Sequence, residues 1–310
     1  MQAWPVNFCA HPKIDRPYFL SVPSVISSKP GERVREKSFG FPKKPLKIAV
    51  VQMNAGIDAE RNLARMGDMI ARLGKCDLIA LPEVFALRGS DADYRAHAAT
   101  MNGPLVRRLA LIARARRSWI LAGSVIEKCG DKCFNTCLLL DRAGVLRAKY
   151  RKIHLFEAHL DNGQSVREND IYSAGCRPVL ADVEGWKCGL SICFDLRFPE
   201  LFRHYSARGA HLLFVPANFT QATGKDHWET LLRARAIENQ AFVVAPDQCG
   251  TNPKTGIASY GNSMVVGPWG EIIARAGMKE RVLAATLDPG VLRRIRARIP
   301  VLQMRRFDLA

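Results

Sequence analysis

A single α/β domain of four layers, α-β-β-α, is the fold that the sequence predicts for residues 46–310, and three observations predict it. From Lys47 onward, short and almost wholly apolar runs alternate with amphipathic stretches, the pattern of strands and helices in succession. The apolar runs lack polar alternation, so the sheet they build is covered on both faces. The second half of the chain repeats the pattern of the first, and two such halves pack sheet on sheet with helices outside.

The elements follow in order. A strand over 47–53 leads to a helix over 58–73, with Leu63, Met66, Ile70 and Leu73 on one face, and then to a strand over 77–81. A helix over 103–117, with Pro104 near its start, precedes strands over 119–126, 134–141 and 145–150, the last two joined through Ala143-Gly144. In the second half a strand over 187–192, a helix over 198–207, a strand over 211–215, a helix over 224–240 and a strand over 242–246 repeat the order. Hairpin-like strands over 259–267, 271–275 and 282–287 complete that half.

Residues 1–45 differ. They hold seven of the 17 prolines, with 8 basic and 3 acidic residues and no sustained periodicity, which reads as an irregular basic extension: a linker, a tail or a transit-like segment. The whole chain carries 46 Lys and Arg against 29 Asp and Glu, a formal +17. Such an excess suits either a nucleic-acid surface or attraction of small anions. The arginine clusters at 107–117 and 293–306 sit at helical spacing without aromatic interleaving, so no nucleic-acid partner is expected. No apolar run reaches the roughly 18 residues of a membrane span, and no membrane association is expected. Nine cysteines without a dense framework, and no recognisable signal peptide, point to a reducing, cytoplasmic setting.

Three strand ends carry chemistry. Leu81-Pro82-Glu83-Val84-Phe85 places a carboxylate just past an apolar strand; Tyr150-Arg151-Lys152-Ile153-His154 places an amine past a strand that should be buried. Ser191-Ile192-Cys193-Phe194-Asp195-Leu196-Arg197-Phe198-Pro199 places a thiol between strand and helix, where backbone N–H groups and a helix N-terminus favour a thiolate. Taken singly, each has a plain structural explanation: a helix-entry glutamate, a lysine with a buried stem, a core cysteine.

Together and in this order, the three segments resemble the nitrilase superfamily of carbon–nitrogen hydrolases, over about residues 47–309. The resemblance implies a Glu–Lys–Cys triad at Glu83, Lys152 and Cys193, with a second glutamate at Glu168. The tracts 150–156, 191–201, 223–240 and 259–270 look like the amidase branch that includes deaminated glutathione amidase and ω-amidase; Asn218 stands where that branch has a small residue. The implied reaction is hydrolysis of a small anionic amide to carboxylate and ammonia through a cysteine thioester. Glu83 is the expected base, and Lys152 with the Phe194 backbone N–H the expected oxyanion donors, worth about 3–4 kcal/mol each in acyl-transfer sites. Glu168 would orient Lys152 or the water. Arg197, or Arg167 and Lys225, would meet the substrate's negative charge. Nitrilase and N-carbamoyl amide hydrolysis are the alternatives within the class. A Cys–His hydrolase and a basic nucleic-acid-binding protein are those outside it. The chemistry needs no metal and no cofactor.

The remaining signals are read structurally. Cys129, Cys133 and Cys137 invite an iron–sulfur reading, but spacing by four along a strand sets the last two roughly 13 Å apart at ~3.3 Å per residue, too far for one ion. His154 and His227 read as satisfied structural histidines, and Arg235 as a partner of Glu238. The resemblance implies a homo-oligomer, dimer or tetramer, and the stretch 298–309 reads as an arm that packs on a neighbour.

Overall fold

The computed structural model describes residues 40–159 and 165–306, all within one compact unit. Strand β1 (Leu46–Gln52), helix α1 (Ala59–Ala71) and strand β2 (Leu78–Ala80) come first, then helices α2 (Asp91–Ala96) and α3 (Pro104–Arg116). Strands β3 (Trp119–Cys129), β4 (Lys132–Leu140) and β5 (Leu146–Arg151) follow, then a small antiparallel pair, β6 (Glu157–His159) and β7 (Ser165–Arg167). The second half runs through β8 (Val179–Val183), β9 (Trp186–Leu190), α4 (Pro199–Ser206), β10 (Leu212–Phe214), α5 (Gln221–Asn239) and β11 (Phe242–Ala245). It ends with β12 (Met264–Val266), β13 (Ile272–Arg275), β14 (Arg281–Leu287) and α6 (Pro289–Arg298).

Local chemistry sets the helix limits. Asp58 caps α1 by accepting from the Arg61 N–H, and buried Leu63, Met66 and Ile70 recur at helical spacing on its inner face. Pro104 opens α3, where no N–H is needed, and Arg117 in a left-handed conformation, φ 50°, closes it.

Two six-stranded sheets result, ordered β14-β1-β2-β3-β4-β5 and β13-β12-β11-β10-β9-β8. Each has three parallel strands at its centre, β1-β2-β3 in one and β9-β10-β11 in the other, flanked by antiparallel strands. The halves therefore match strand for strand. Leu46, Ile48 and Val50 on one face of β1 join a core with Trp186, Leu190 and Phe214 of the other sheet. Ala49 and Val51 on the opposite face pack with Leu63, Met66 and Leu109 of α1 and α3. Tyr205 and Trp228 cover the second sheet from α4 and α5. This is the expected four-layer fold, and each fully buried Leu or Ile at its centre contributes roughly 1.5–3 kcal/mol.

Three details depart from the predicted elements. Strand β14 does not extend the second half; it crosses to the first sheet and pairs antiparallel with β1, from Leu46 opposite Leu287 to Gln52 opposite Arg281. The outer edge of β1 would otherwise leave its backbone groups unpaired. The run 259–267 is strand only at Met264–Val266, its first residues being a loop whose side chains reach the site. Strand β5 is an edge strand whose residues are exposed or half-buried apart from Tyr150.

Of the stretch 1–45, residues 1–39 lie outside the described residues; Lys44 accepts from Trp186 Nε1 at 3.1 Å and Pro42 from Arg293 at 3.4 Å. The stretch 298–309 touches its own chain as far as it is described: Gln240 donates to the Ile299 carbonyl at 2.6 Å, and Arg305 to that of Arg203 at 3.4 Å. No helix among the described residues is long and apolar enough to cross a membrane.

Candidate active site

Glu83 stands three residues past β2, and the backbone must bend sharply to aim it. Gly123 in β3 makes room: a Cβ there would meet the Pro82 carbonyl oxygen at 1.9 Å and that of Leu81 at 2.2 Å. Val84 then takes φ 48°, an unfavourable conformation for a β-branched residue, held by its N–H on Ser124 Oγ at 2.9 Å. The Glu83 carboxylate is 3% exposed. Its Oε1 accepts from Asn135 Nδ2 at 2.8 Å and from Lys152 Nζ at 2.9 Å, and its Oε2 from the Asn218 N–H at 2.7 Å.

Lys152 leaves the end of β5 and is 1% exposed. Its ammonium also donates to Glu168 at 2.9 Å. Burial alone would push the Lys152 amine down, but the Glu168 and Glu83 carboxylates beside it hold it well above the ordinary lysine range, so it stays charged. Glu168 follows β7 and accepts from the Phe156 N–H at 2.7 Å. Burial, with Glu83 nearby, pushes the Glu168 carboxyl up against the opposing pull of Lys152.

Cys193 follows β9 at a turn with φ 47°, its N–H donating to the Pro216 carbonyl at 2.9 Å. The surroundings of this thiol oppose the thiolate that the turn favours. Burial first, and then Glu83, push the Cys193 thiol well up, outweighing Lys152 and the Asn218 N–H.

These four side chains line one cavity of about 740 Å³, which Phe194, Arg197 and Asn218 line as well. Arg197 lies 5.2 Å over the Phe219 ring, with Nη1 at 3.2 Å from His227 Nδ1. Arg167 also lines the cavity and is 3.5 Å from Glu157. Lys225 does not; it is exposed on α5, and Lys254 is the lysine at the cavity wall.

Asp195 is the residue that sequence reasoning missed. Fully buried, it accepts from Tyr150 Oη at 2.7 Å, the Ile192 N–H at 2.9 Å and the His154 N–H at 3.0 Å. His154 Nδ1 lies at 2.7 Å as well, so this histidine belongs to the scaffold, its ring stacked on Phe198 at 3.7 Å. Among the described residues no histidine has a hydrogen bond to Cys193, and the Cys–His alternative loses its support. Asn135 was also missed; Asn135-Thr136 inside an apolar run was the signal. The cysteines 129, 133 and 137 are all free.

A four-layer fold whose matched halves close over a cavity holding an activatable thiol defines a class, the carbon–nitrogen hydrolases. The sequence profile of that family, Carbon-nitrogen hydrolase, matches residues 47–297, and the chain belongs to it. The chain is 38% identical over 273 residues to a deaminated glutathione amidase of Synechocystis sp., covering 85% of this chain and 99% of that one. To an omega-amidase of Bos taurus it is 33% identical over 265 residues, covering 85% and 96%. Among solved structures it resembles a variant of the amidase from Nesterenkonia sp. AN1 with the acetamide moiety of fluoroacetamide added at its active site cysteine. That likeness has a TM-score of 0.72 and 27% identity, covering 87% of this chain and 97% of that one. The family expected from the three strand-end motifs is the family found.

Proposed function

We propose that the protein hydrolyses a small anionic amide through Cys193, with deaminated glutathione the first substrate. One observation carries this reading: a buried ammonium, Lys152, held by Glu83 and Glu168 in the cavity that Cys193 lines. Glu83 takes the thiol proton, and the sulfur attacks the amide carbonyl carbon. The oxyanion forms against the Lys152 ammonium and the Phe194 backbone N–H. Glu83 returns the proton to the leaving nitrogen, the carbon–nitrogen bond breaks, and the acyl group remains as a thioester. Water, deprotonated by Glu83 and placed by Glu168, releases the carboxylate and restores the thiol.

Cavity size and charge support the substrate. About 740 Å³ is ample for a tripeptide-sized ligand, and Arg197, Arg167 and Lys254 give it cationic walls. Omega-amides of keto-dicarboxylic acids are the second reading, favoured by the same cations. Release of acid and amine (ammonia from primary amides) is the test, over deaminated glutathione, α-ketoglutaramate, succinamate, a simple nitrile and an N-carbamoyl amino acid. Turnover of the nitrile alone overturns the amidase reading.

Cytoplasmic residence and a homo-oligomer belong to the same proposal. All eight described cysteines are free, as a reducing compartment maintains them. Ile237 and Trp269 are large apolar side chains, 50% and 48% exposed, that suit a subunit contact. Light scattering of the full chain tests the oligomer.

A further inference from the structure

We infer that Asn218 selects the substrate, its carboxamide being locked by Arg88 and Ser259 so that Nδ2 offers a hydrogen-bond donor to an oxygen on the acyl chain. This rests on the amide-hydrolase reading above.

The lock is a matter of donor and acceptor counting. Arg88 is fully buried, and three contacts fix its guanidinium: the Cys249 carbonyl at 3.0 Å, Ser259 Oγ at 2.9 Å and Asn54 Oδ1 at 2.6 Å. A guanidinium only donates, so Ser259 Oγ accepts from it and keeps one proton to give. That proton goes to Asn218 Oδ1, 2.6 Å away. The carboxamide is thereby oriented: Oδ1 is turned to Ser259, and Nδ2, which can only donate, is the end left for the cavity that Asn218 lines.

The place of this donor matters as much as its orientation. The Asn218 backbone N–H holds Glu83 and pulls on the Cys193 thiol. The carboxamide therefore belongs to a residue whose backbone meets both Glu83 and Cys193, on the wall of the cavity that Cys193 lines. A rigid donor there is matched by an amide carrying an oxo or carboxylate oxygen on its acyl chain, and is left unpaired by an aliphatic amide. Arg88 and Ser259 act as positioning residues.

The experiment compares three amides of similar length: succinamate with a carboxylate, 4-oxopentanamide with an oxo group, and pentanamide with neither. In the wild type kcat/KM favours one or both oxygen-bearing amides. Asn218→Ala lowers that preference about 10- to 100-fold, mainly through KM. Ser259→Ala lowers it less, and Ser259→Thr restores it. An equal loss on all three amides, or an unchanged preference, overturns the inference. If the wild type turns over none of them, the hydrolase reading fails separately, and calorimetry with succinate, 4-oxopentanoate and pentanoate decides. Tighter binding of an oxygen-bearing acid that Asn218→Ala abolishes supports the donor, and equal or absent binding overturns it.

Discussion

The Tyr150 hydroxyl donates to the Asp195 carboxylate across 2.7 Å, and this bond ties the turn that carries Cys193 to the strand that delivers Lys152. Replacing Asp195 by Asn removes the charge that draws these donors together. Asp195→Asn is expected to cost about 2–3 kcal/mol of stability, the worth of hydrogen bonds to a buried charged group, and to lower kcat more than KM. Thermal melting and steady-state kinetics check this; an unchanged melting point with full activity contradicts it.

The raised pKa of the Cys193 thiol sets a pH dependence. Below that pKa the thiol is protonated, so at neutral pH the free protein is expected to show no thiolate absorbance from Cys193 and to react slowly with iodoacetamide. Glu83→Gln removes the proton acceptor and is expected to lower amide turnover about 10²- to 10⁴-fold. Fast alkylation at pH 7 that is indifferent to Glu83→Gln would mean a preformed thiolate.

Gly123 tests the bend that aims Glu83. With carbonyl oxygens at 1.9 and 2.2 Å from the position of a Cβ, Gly123→Ala must displace residues 81 and 82. The expected loss is about 1–3 kcal/mol of stability, the cost of overpacking, together with a fall in kcat. Wild-type kinetics in a variant of normal stability would show that the strand ends move freely.

Glu127, which does not line the cavity, provides a second pH test. Burial works against its charge, but hydrogen bonds from Arg151, Lys149 and Thr136 hold its carboxyl down at about 2 against an ordinary 4.5. A depressed carboxyl contributes stability that is present above pH 4.5 and lost as pH falls through about 2. Glu127→Gln therefore lowers stability at neutral pH and flattens its decline across that window, as denaturant melts at a series of pH values would show. An unaltered acid limb would remove Glu127 from the acid response.

Much of this was legible because strands and catalytic groups leave different marks. Apolar runs such as Leu78–Ala80 and Leu212–Phe214 announce buried strands, and an ionisable residue just past such a run is conspicuous, as with Glu83 and Cys193; Lys152 follows the polar edge strand β5 and stood out through its flanking residues. Partners far apart in sequence were not legible. Nothing local in residues 281–287 says that they cross to β1, because an edge is completed by whichever strand tertiary packing brings. Asp195 looked like one more residue of a turn; its importance comes from Tyr150 and His154, more than 40 positions away. The opposition around the thiol was hidden for the same reason, since the turn favours a thiolate locally while burial and Glu83 push the thiol up.

The groups lining the cavity come from both matched halves: Glu83 and Lys152 from the first, Cys193 and Asn218 from the second. Neither half possesses a working set, so turnover is itself a gauge of whether the sheets have docked. A half-folded chain holds Glu83 and Cys193 without bringing them to one cavity, and is expected to hydrolyse no amide. On the proposed mechanism, amide turnover arrives only with the finished tertiary structure.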